Sequence, residues 1–128
     1  MAQDLFEAAR AAMALSHSPY SGFPVGAAIR DERGHIHGGC NIENVAFPQG
    51  WCAEATAIGQ MIMAGSREIV EIAVLAEKLP LCAPCGGCRQ KIAEFATPQA
   101  RIWLCDATGP RTVVTLRDLL PSAFTRLG

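Results

Sequence analysis

No apolar run in the 128-residue sequence approaches the length of a membrane span. The opening Met1-Ala2-Gln3-Asp4-Leu5-Phe6-Glu7 lacks the basic and apolar regions of a signal peptide. A soluble cytoplasmic protein with no membrane partner is the expectation. An excess of either charge is missing too: 11 basic and 12 acidic residues leave a formal charge of −1. The densest basic piece, Arg89-Gln90-Lys91, holds only two cations. A protein that grips a phosphate backbone usually shows a basic stripe, so nucleic acid is a poor candidate partner. Internal repeats and low-complexity stretches are absent as well.

What remains is a compact globular composition, 50% hydrophobic and 18% charged. Its length suits one domain, 1–128, with a real core. Six cysteines stand at Cys40, Cys52, Cys82, Cys85, Cys88 and Cys105. Without an export signal, metal binding or catalysis is a better reading of them than disulfides.

Asp4 followed by Glu7 resembles a capping box, and Leu5, Ala9, Ala12 and Met13 form an apolar stripe, predicting a helix over about 4–15. Ser18-Pro19-Tyr20-Ser21-Gly22 stops it. Val25 to Ile29 and a second strand toward Cys40, joined by the turn Asp31-Glu32-Arg33-Gly34, predict an antiparallel hairpin. A loop follows to Trp51, then a helix from Cys52 to Gly65-Ser66. The nearly continuous apolar run Ile69 to Ala76 reads as a strand buried on both faces. Beyond the Pro80–Pro84 loop, Cys85 to Phe95 predicts another helix. Ile102 to Cys105 and Thr112 to Val114 read as short strands, with Thr115 capping a brief last helix. This order implies an α/β fold, a three-layer α/β/α domain around a mixed sheet of about five strands. Ligands in such sheets bind beyond strand ends, where helices begin, and the cysteine motifs fall at two helix starts.

Those motifs are Cys52-Ala53-Glu54 and Pro84-Cys85-Gly86-Gly87-Cys88. A helix N-terminus carries about +0.5 of a charge, which favours the thiolate that binds metal. Three cysteines leave the fourth position of a tetrahedral zinc open, which separates a catalytic zinc from a structural one. Glu54, two residues past a ligand, is then placed to shuttle protons to and from water held at that position. Two blander readings stand beside this one. Cys82 could complete a closed four-cysteine structural site, and the Cys85–Cys88 pair could be a redox pair.

His-or-Cys-x-Glu followed by Pro-Cys-x-x-Cys is the zinc-deaminase arrangement. Together with Pro19-Tyr20-Ser21-Gly22-Phe23-Pro24-Val25-Gly26-Ala27-Ala28, Cys40-Asn41-Ile42-Glu43-Asn44 and Leu119-Leu120-Pro121, it makes the chain resemble the small homotetrameric cytidine deaminase family over nearly its whole length. The resemblance implies a cytidine deaminase-like fold and deamination of cytidine or deoxycytidine in pyrimidine salvage. It implies one Zn²⁺ per subunit on Cys52, Cys85 and Cys88, with Glu54 as the catalytic proton shuttle. Phe23, Asn41, Glu43, Ala53 and Phe124 would bind the nucleoside. Asn41 and Glu43 would take the ribose hydroxyls, and Phe23 the pyrimidine. Phe124, like the Val45-Ala46-Phe47 loop, would reach a neighbouring subunit's site, making a homotetramer with active sites at its interfaces. Without the resemblance, Asn41 and Glu43 read equally well as turn residues, and Phe23 and Phe124 as core. Tyr20 and Trp51 read as packing, Cys40 and Cys105 as small packed residues, and His17, His35 and His37 as solvent-exposed.

One position departs from the family. Arg commonly follows the catalytic Glu, and this chain has Ala55. Three thiolates on Zn²⁺ leave a net −1, which that Arg helps offset. The expected substitutes are the two helix N-termini and Arg89.

Overall fold

The computed structural model describes residues 2–124. Helix α1 (Gln3–Met13) precedes strands β1 (Val25–Asp31) and β2 (Ile36–Cys40). A single 3-10 turn (Phe47–Gln49) leads to α2 (Ala53–Met63) and β3 (Ile69–Ala76). Then come α3 (Gly86–Phe95), β4 (Arg101–Asp106), β5 (Gly109–Thr115) and the short α4 (Leu116–Leu119). The strands form one five-stranded sheet in the order β2-β1-β3-β4-β5. Only β3 and β4 run parallel; the other neighbours are antiparallel. The predicted mixed sheet of five strands is what the chain forms.

Both faces of the sheet are covered, as a three-layer fold requires. Leu5, Phe6 and Ala9 of α1 pack on Ala28, Ala73, Leu75 and Cys105 on one face. On the other, Ala53, Ala57 and Met61 of α2 and Ile92 of α3 pack on Ala27, Ile29, Ile72, Val74 and Ile102. Alternate residues of β1 thus serve opposite cores, which is the period of two along a strand. Seven of the eight residues of β3 are buried, in keeping with its place at the sheet's centre.

Two glycines set how closely the helices lie on the sheet. A Cβ at Gly26 would stand 2.0 Å from the Ala9 carbonyl oxygen of α1. One at Gly39 would stand 2.3 Å from the Ala57 nitrogen and 2.5 Å from the Ala53 carbonyl oxygen of α2. Backbone atoms cannot yield as a flexible side chain would. Gly39 matters most for the site, because α2 begins with the Cys52-Ala53-Glu54 motif.

Three local readings are corrected. No side chain caps the start of α1, whose N-cap is Ala2. Asp4 instead receives two hydrogen bonds from the Arg30 guanidinium, at 2.7 and 2.8 Å, and Glu7 pairs with Arg10 along the helix. The helix also ends at Met13 rather than near 15. His37 is not solvent-exposed: it lies on β2 with Nε2 2.7 Å from Oδ2 of the buried Asp31. Burial alone would raise the Asp31 pKa, but His37, Ser66 and the His35 and Arg33 amides outweigh it and hold the carboxyl well below the usual range. His17 and His35 are exposed as expected. At the other end, Thr115 caps α4 in a reciprocal box with Asp118, as read from the sequence.

Gly39→Ala is expected to lower stability to urea by about 1–3 kcal/mol, the usual cost of overpacking a well-filled core. Equilibrium unfolding checks this. A variant as stable as the parent would show that α2 is free to move away from the sheet.

Candidate zinc centre and nucleoside cavity

The sheet register explains why the site lies where it does. Val25, the start of β1, pairs with Ala76, the end of β3, and Gly26 pairs with Cys40, the end of β2. One edge of the sheet therefore gathers the entry to β1 and the exits of β2 and β3. The helices α2 and α3 both start there. Cys52 is the N-cap of α2 and Cys85 the N-cap of α3, while Cys88 sits in the first turn of α3.

The three sulfur atoms lie within 4.8 Å of one another, and the Cys52 and Cys85 sulfurs are 3.9 Å apart. Three soft thiolate donors at this spacing suit zinc and leave room for a fourth ligand. Cys82 is not part of the cluster; its thiol is directed to the Ala83 carbonyl at 3.7 Å. The donors differ in their electrostatics. The Cys85 thiol is pulled down, chiefly by the Cys88 backbone N–H at the start of α3. Burial pushes the Cys52 and Cys88 thiols up, and the neighbouring acidic groups add to this. Cys105, far from the cluster, is a fully buried thiol raised to about 11 by burial, which fits a packed small residue.

Glu54, on the first turn of α2, is buried, and burial raises its pKa. Its backbone N–H, the Cys88 thiol and the Lys91 ammonium oppose the rise. A carboxyl shifted upward in this way takes and gives protons nearer neutrality than an exposed one.

A cavity of about 240 Å³ opens beside these groups, lined by Asn41, Glu43, Trp51, Cys52, Ala53, Glu54 and Cys85 among others. It is slightly smaller than typical drug-sized pockets and suits a small molecule rather than a polymer. A second hollow, bordered by Tyr20, Ser21, Asn44 and Phe47, shares Glu43 with it.

Asn41 and Glu43 face the cavity and also hold its wall together. Asn41 Oδ1 accepts from the Val25 N–H at 2.9 Å and from the Ser16 hydroxyl, and Nδ2 donates to the Phe23 carbonyl at 2.9 Å. Glu43 accepts from the backbone N–H groups of Tyr20 at 2.8 Å and Ser21 at 3.1 Å, and from the Ser21 hydroxyl. The Ser21 hydroxyl is the main reason its carboxyl stays below the usual range. Of the residues singled out from the sequence, Cys52, Ala53, Glu54, Cys85, Asn41 and Glu43 converge here, with Cys88 buried behind them. Phe23 and Phe124 do not line the cavity. Phe23 is half-buried beside it; Phe124 is 79% exposed, its carbonyl held by Gln90.

Three features differ from the sequence reading or add to it. Trp51 and Tyr20 are not packed inside; both are about half exposed, and each borders one of the two hollows. The signal for Trp51 was its place directly before Cys52. Arg89 donates its guanidinium to the carbonyls of Pro84 at 2.8 Å and Leu119 at 2.9 Å rather than to a thiol, which fixes its place beside α3 and leaves its charge intact. Lys91, whose Nζ stands 5.3 Å from the Trp51 ring centroid, drew no notice in the sequence as a site residue.

A sheet of this topology with three thiols and a carboxyl at two helix starts defines a zinc deaminase-type fold. Comparison with known proteins agrees. The family model "Cytidine and deoxycytidylate deaminase zinc-binding region" matches residues 1–103, so the chain belongs to that family. It is 40% identical over 124 residues to a cytidine deaminase of Sporosarcina psychrophila, covering 97% of this chain and 91% of that protein. It is 39% identical over 110 residues to a cytidine deaminase of Halalkalibacterium halodurans, covering 86% of this chain and 83% of the other. The crystal structure of cytidine deaminase from Burkholderia pseudomallei superimposes with a TM-score of 0.91 at 40% identity, over 97% of this chain and 99% of that one.

Cys88→Ser is expected to abolish stoichiometric zinc, whereas Cys82→Ser keeps it. Metal analysis of the two purified variants decides the matter. Loss of zinc from the Cys82 variant would restore the closed structural site.

Proposed function

We propose that this chain is a cytidine deaminase, a single catalytic domain spanning 1–128 that hydrolyses cytidine and 2′-deoxycytidine to the corresponding uridine and ammonia. The observation that carries this reading is the buried Glu54 carboxyl beside a three-thiol cluster, both on the wall of one small cavity. Cys52, Cys85 and Cys88 would hold one Zn²⁺ per subunit. Bound there, zinc supplies a Lewis acid that makes water a nucleophile near neutral pH. Glu54 takes a proton from the attacking water and passes it to N3 of the cytosine ring while oxygen bonds to C4. It then carries a second proton to the amino group, and the C4–N bond breaks to release ammonia. One water is consumed and no redox change occurs. Burial of Glu54 serves both transfers, since a strongly acidic carboxyl would release protons but not collect them.

Asn41 and Glu43 are the proposed ribose ligands. Asn41 keeps one Nδ2 hydrogen uncommitted, and Glu43 Oε2, which accepts only from the Ser21 hydroxyl, keeps one acceptor site, whereas Oε1 is filled by the Tyr20 and Ser21 amides. A role in pyrimidine salvage, in the cytoplasm, is part of the proposal. No helix among the described residues is long and apolar enough to cross a membrane. Ala53, fully buried between Cys52 and Glu54, would present backbone to the base. Phe23 beside the cavity would flank the pyrimidine.

A homotetramer is proposed with it. Val45, Phe47 and Phe124 are 77%, 73% and 79% exposed, which is costly for an isolated subunit and fits contact with neighbouring copies. Sedimentation is expected to give four subunits, with Phe124→Ala raising KM for cytidine; a monomer with full activity would overturn this part.

Conversion of cytidine to uridine followed by ultraviolet absorbance tests the reaction itself. Glu54→Gln is expected to lower kcat by about a hundredfold to ten-thousandfold, the usual worth of a general acid–base group. In the same assay Glu43→Ala should raise KM for cytidine far more than it lowers kcat. A zinc-loaded parent that leaves cytidine unchanged would move the proposal to another amine.

A further inference from the structure

We propose that Ser21 is a positioning residue that sharpens the site's choice of a nucleoside over a bare base, by fixing the ligand-accepting oxygen of Glu43. This rests on the ribose-binding reading of Glu43 above and deepens it. Oε1 of Glu43 accepts from two backbone amides, Tyr20 at 2.8 Å and Ser21 at 3.1 Å. Two bonds to one oxygen hold that oxygen but let the carboxylate swing about it. The acceptor site left for a ligand is on the other oxygen, Oε2, and among the described residues only the Ser21 hydroxyl holds it. Ser21 thus grips the carboxylate twice, with its amide on one oxygen and its hydroxyl on the other.

The hydroxyl is itself held. Gly22, at a φ of 65°, turns the chain so that the Phe23 N–H donates to Ser21 Oγ at 3.1 Å. An N–H can only donate, so the single Ser21 hydroxyl proton is left to point at Glu43. The Phe23 carbonyl in turn accepts from Asn41 Nδ2 at 2.9 Å. Asn41, Phe23, Ser21 and Glu43 therefore form one hydrogen-bonded chain whose two ends are the proposed sugar ligands. The spacing between the Asn41 donor and the Glu43 acceptor is set before a ligand arrives, which lowers the ordering cost of binding. Ser21 does this from outside: it borders the second hollow and does not line the nucleoside cavity. Its hydroxyl is also the chief reason the Glu43 carboxyl stays below the usual range, ionised and ready to accept.

Ser21 is exposed, so Ser21→Ala removes the hydroxyl without opening the core. Ser21→Ala, Ser21→Thr and Glu43→Ala should be compared with the parent as zinc-loaded, full-length proteins, by cytidine turnover and by its inhibition with uridine and with uracil. Ser21→Ala is expected to raise KM for cytidine and the inhibition constant of uridine about threefold to tenfold, the usual worth of one hydrogen bond, with kcat nearly unchanged. Uracil, which has no sugar, should inhibit the parent and Ser21→Ala alike. Ser21→Thr keeps the hydroxyl and should match the parent. A general loosening of the site would instead weaken uracil too and lower kcat. An unchanged KM in Ser21→Ala, with a raised one in Glu43→Ala, would overturn the proposal and leave the sugar reading standing. Equal losses in the two Ser21 variants, or equal weakening of uridine and uracil, would do the same. An unchanged KM in Glu43→Ala, or a parent that leaves cytidine unchanged, would refute the reading and the proposal together.

Discussion

Everything at the site depends on two helix N-termini meeting at one edge of the sheet. The donors come from segments more than thirty residues apart, so no local sequence rule can bring them within 4.8 Å. The sheet does it. Antiparallel pairing of β1 with β2 and β3 fixes which strand ends share an edge, and the parallel step from β3 to β4 makes α3 start there too. The remaining freedom is the distance of α2 from the sheet, and Gly39 sets it at backbone contact. One turn of helix is 5.4 Å, comparable to the whole thiol cluster, so even a partial slide of α2 would scatter the donors. Core packing and metal geometry are in this sense one constraint.

The same convergence creates an electrostatic problem. Burial and mutual repulsion push Cys52, Cys88 and Glu54 toward their neutral forms, and only Cys85 is drawn toward thiolate, by the Cys88 amide. A divalent cation resolves this, since it exchanges for thiol protons and makes close thiolates tolerable. Helix N-termini help through partial charges that are fixed in place.

The architecture was legible in the sequence because its signals are local and periodic. The run Ile69–Ala76 matches β3 residue for residue, and Cys52 and Cys85 mark the helix starts to within one residue. The metal cluster was legible because few other chemistries need that cysteine spacing. What stayed hidden involves partners distant in sequence. Asp4 looked like a cap because Glu7 follows it, but its carboxylate is drawn to Arg30, 26 residues on. His37 looked exposed until the hairpin turned it onto Asp31. Arg89 beside Cys88 reads as a counter-charge, but the sequence does not show that its guanidinium is anchored on carbonyls from the preceding loop and from the end of α4. Sequence adjacency to a ligand does not reveal where a long side chain ends.

Asn41 and Glu43 show why some functional and structural readings cannot be separated from sequence. As turn residues they are fully convincing: one joins the entry of β1 to the exit of β2, the other gathers the Tyr20-Ser21 turn. These bonds are also what a ligand-binding role requires. A Glu43 carboxylate already fixed by two amides and a hydroxyl loses little rotational freedom when a sugar hydroxyl arrives, and it is ionised and ready to accept. Asn41, held at its oxygen, has its remaining N–H aimed by the fold rather than by the ligand. Building the cavity wall and preparing it for a polar ligand are then a single task performed by the same atoms. On the proposed ribose role, removing either side chain would loosen the wall and weaken recognition together, and the two effects part only when binding of a nucleoside is compared with binding of the bare base.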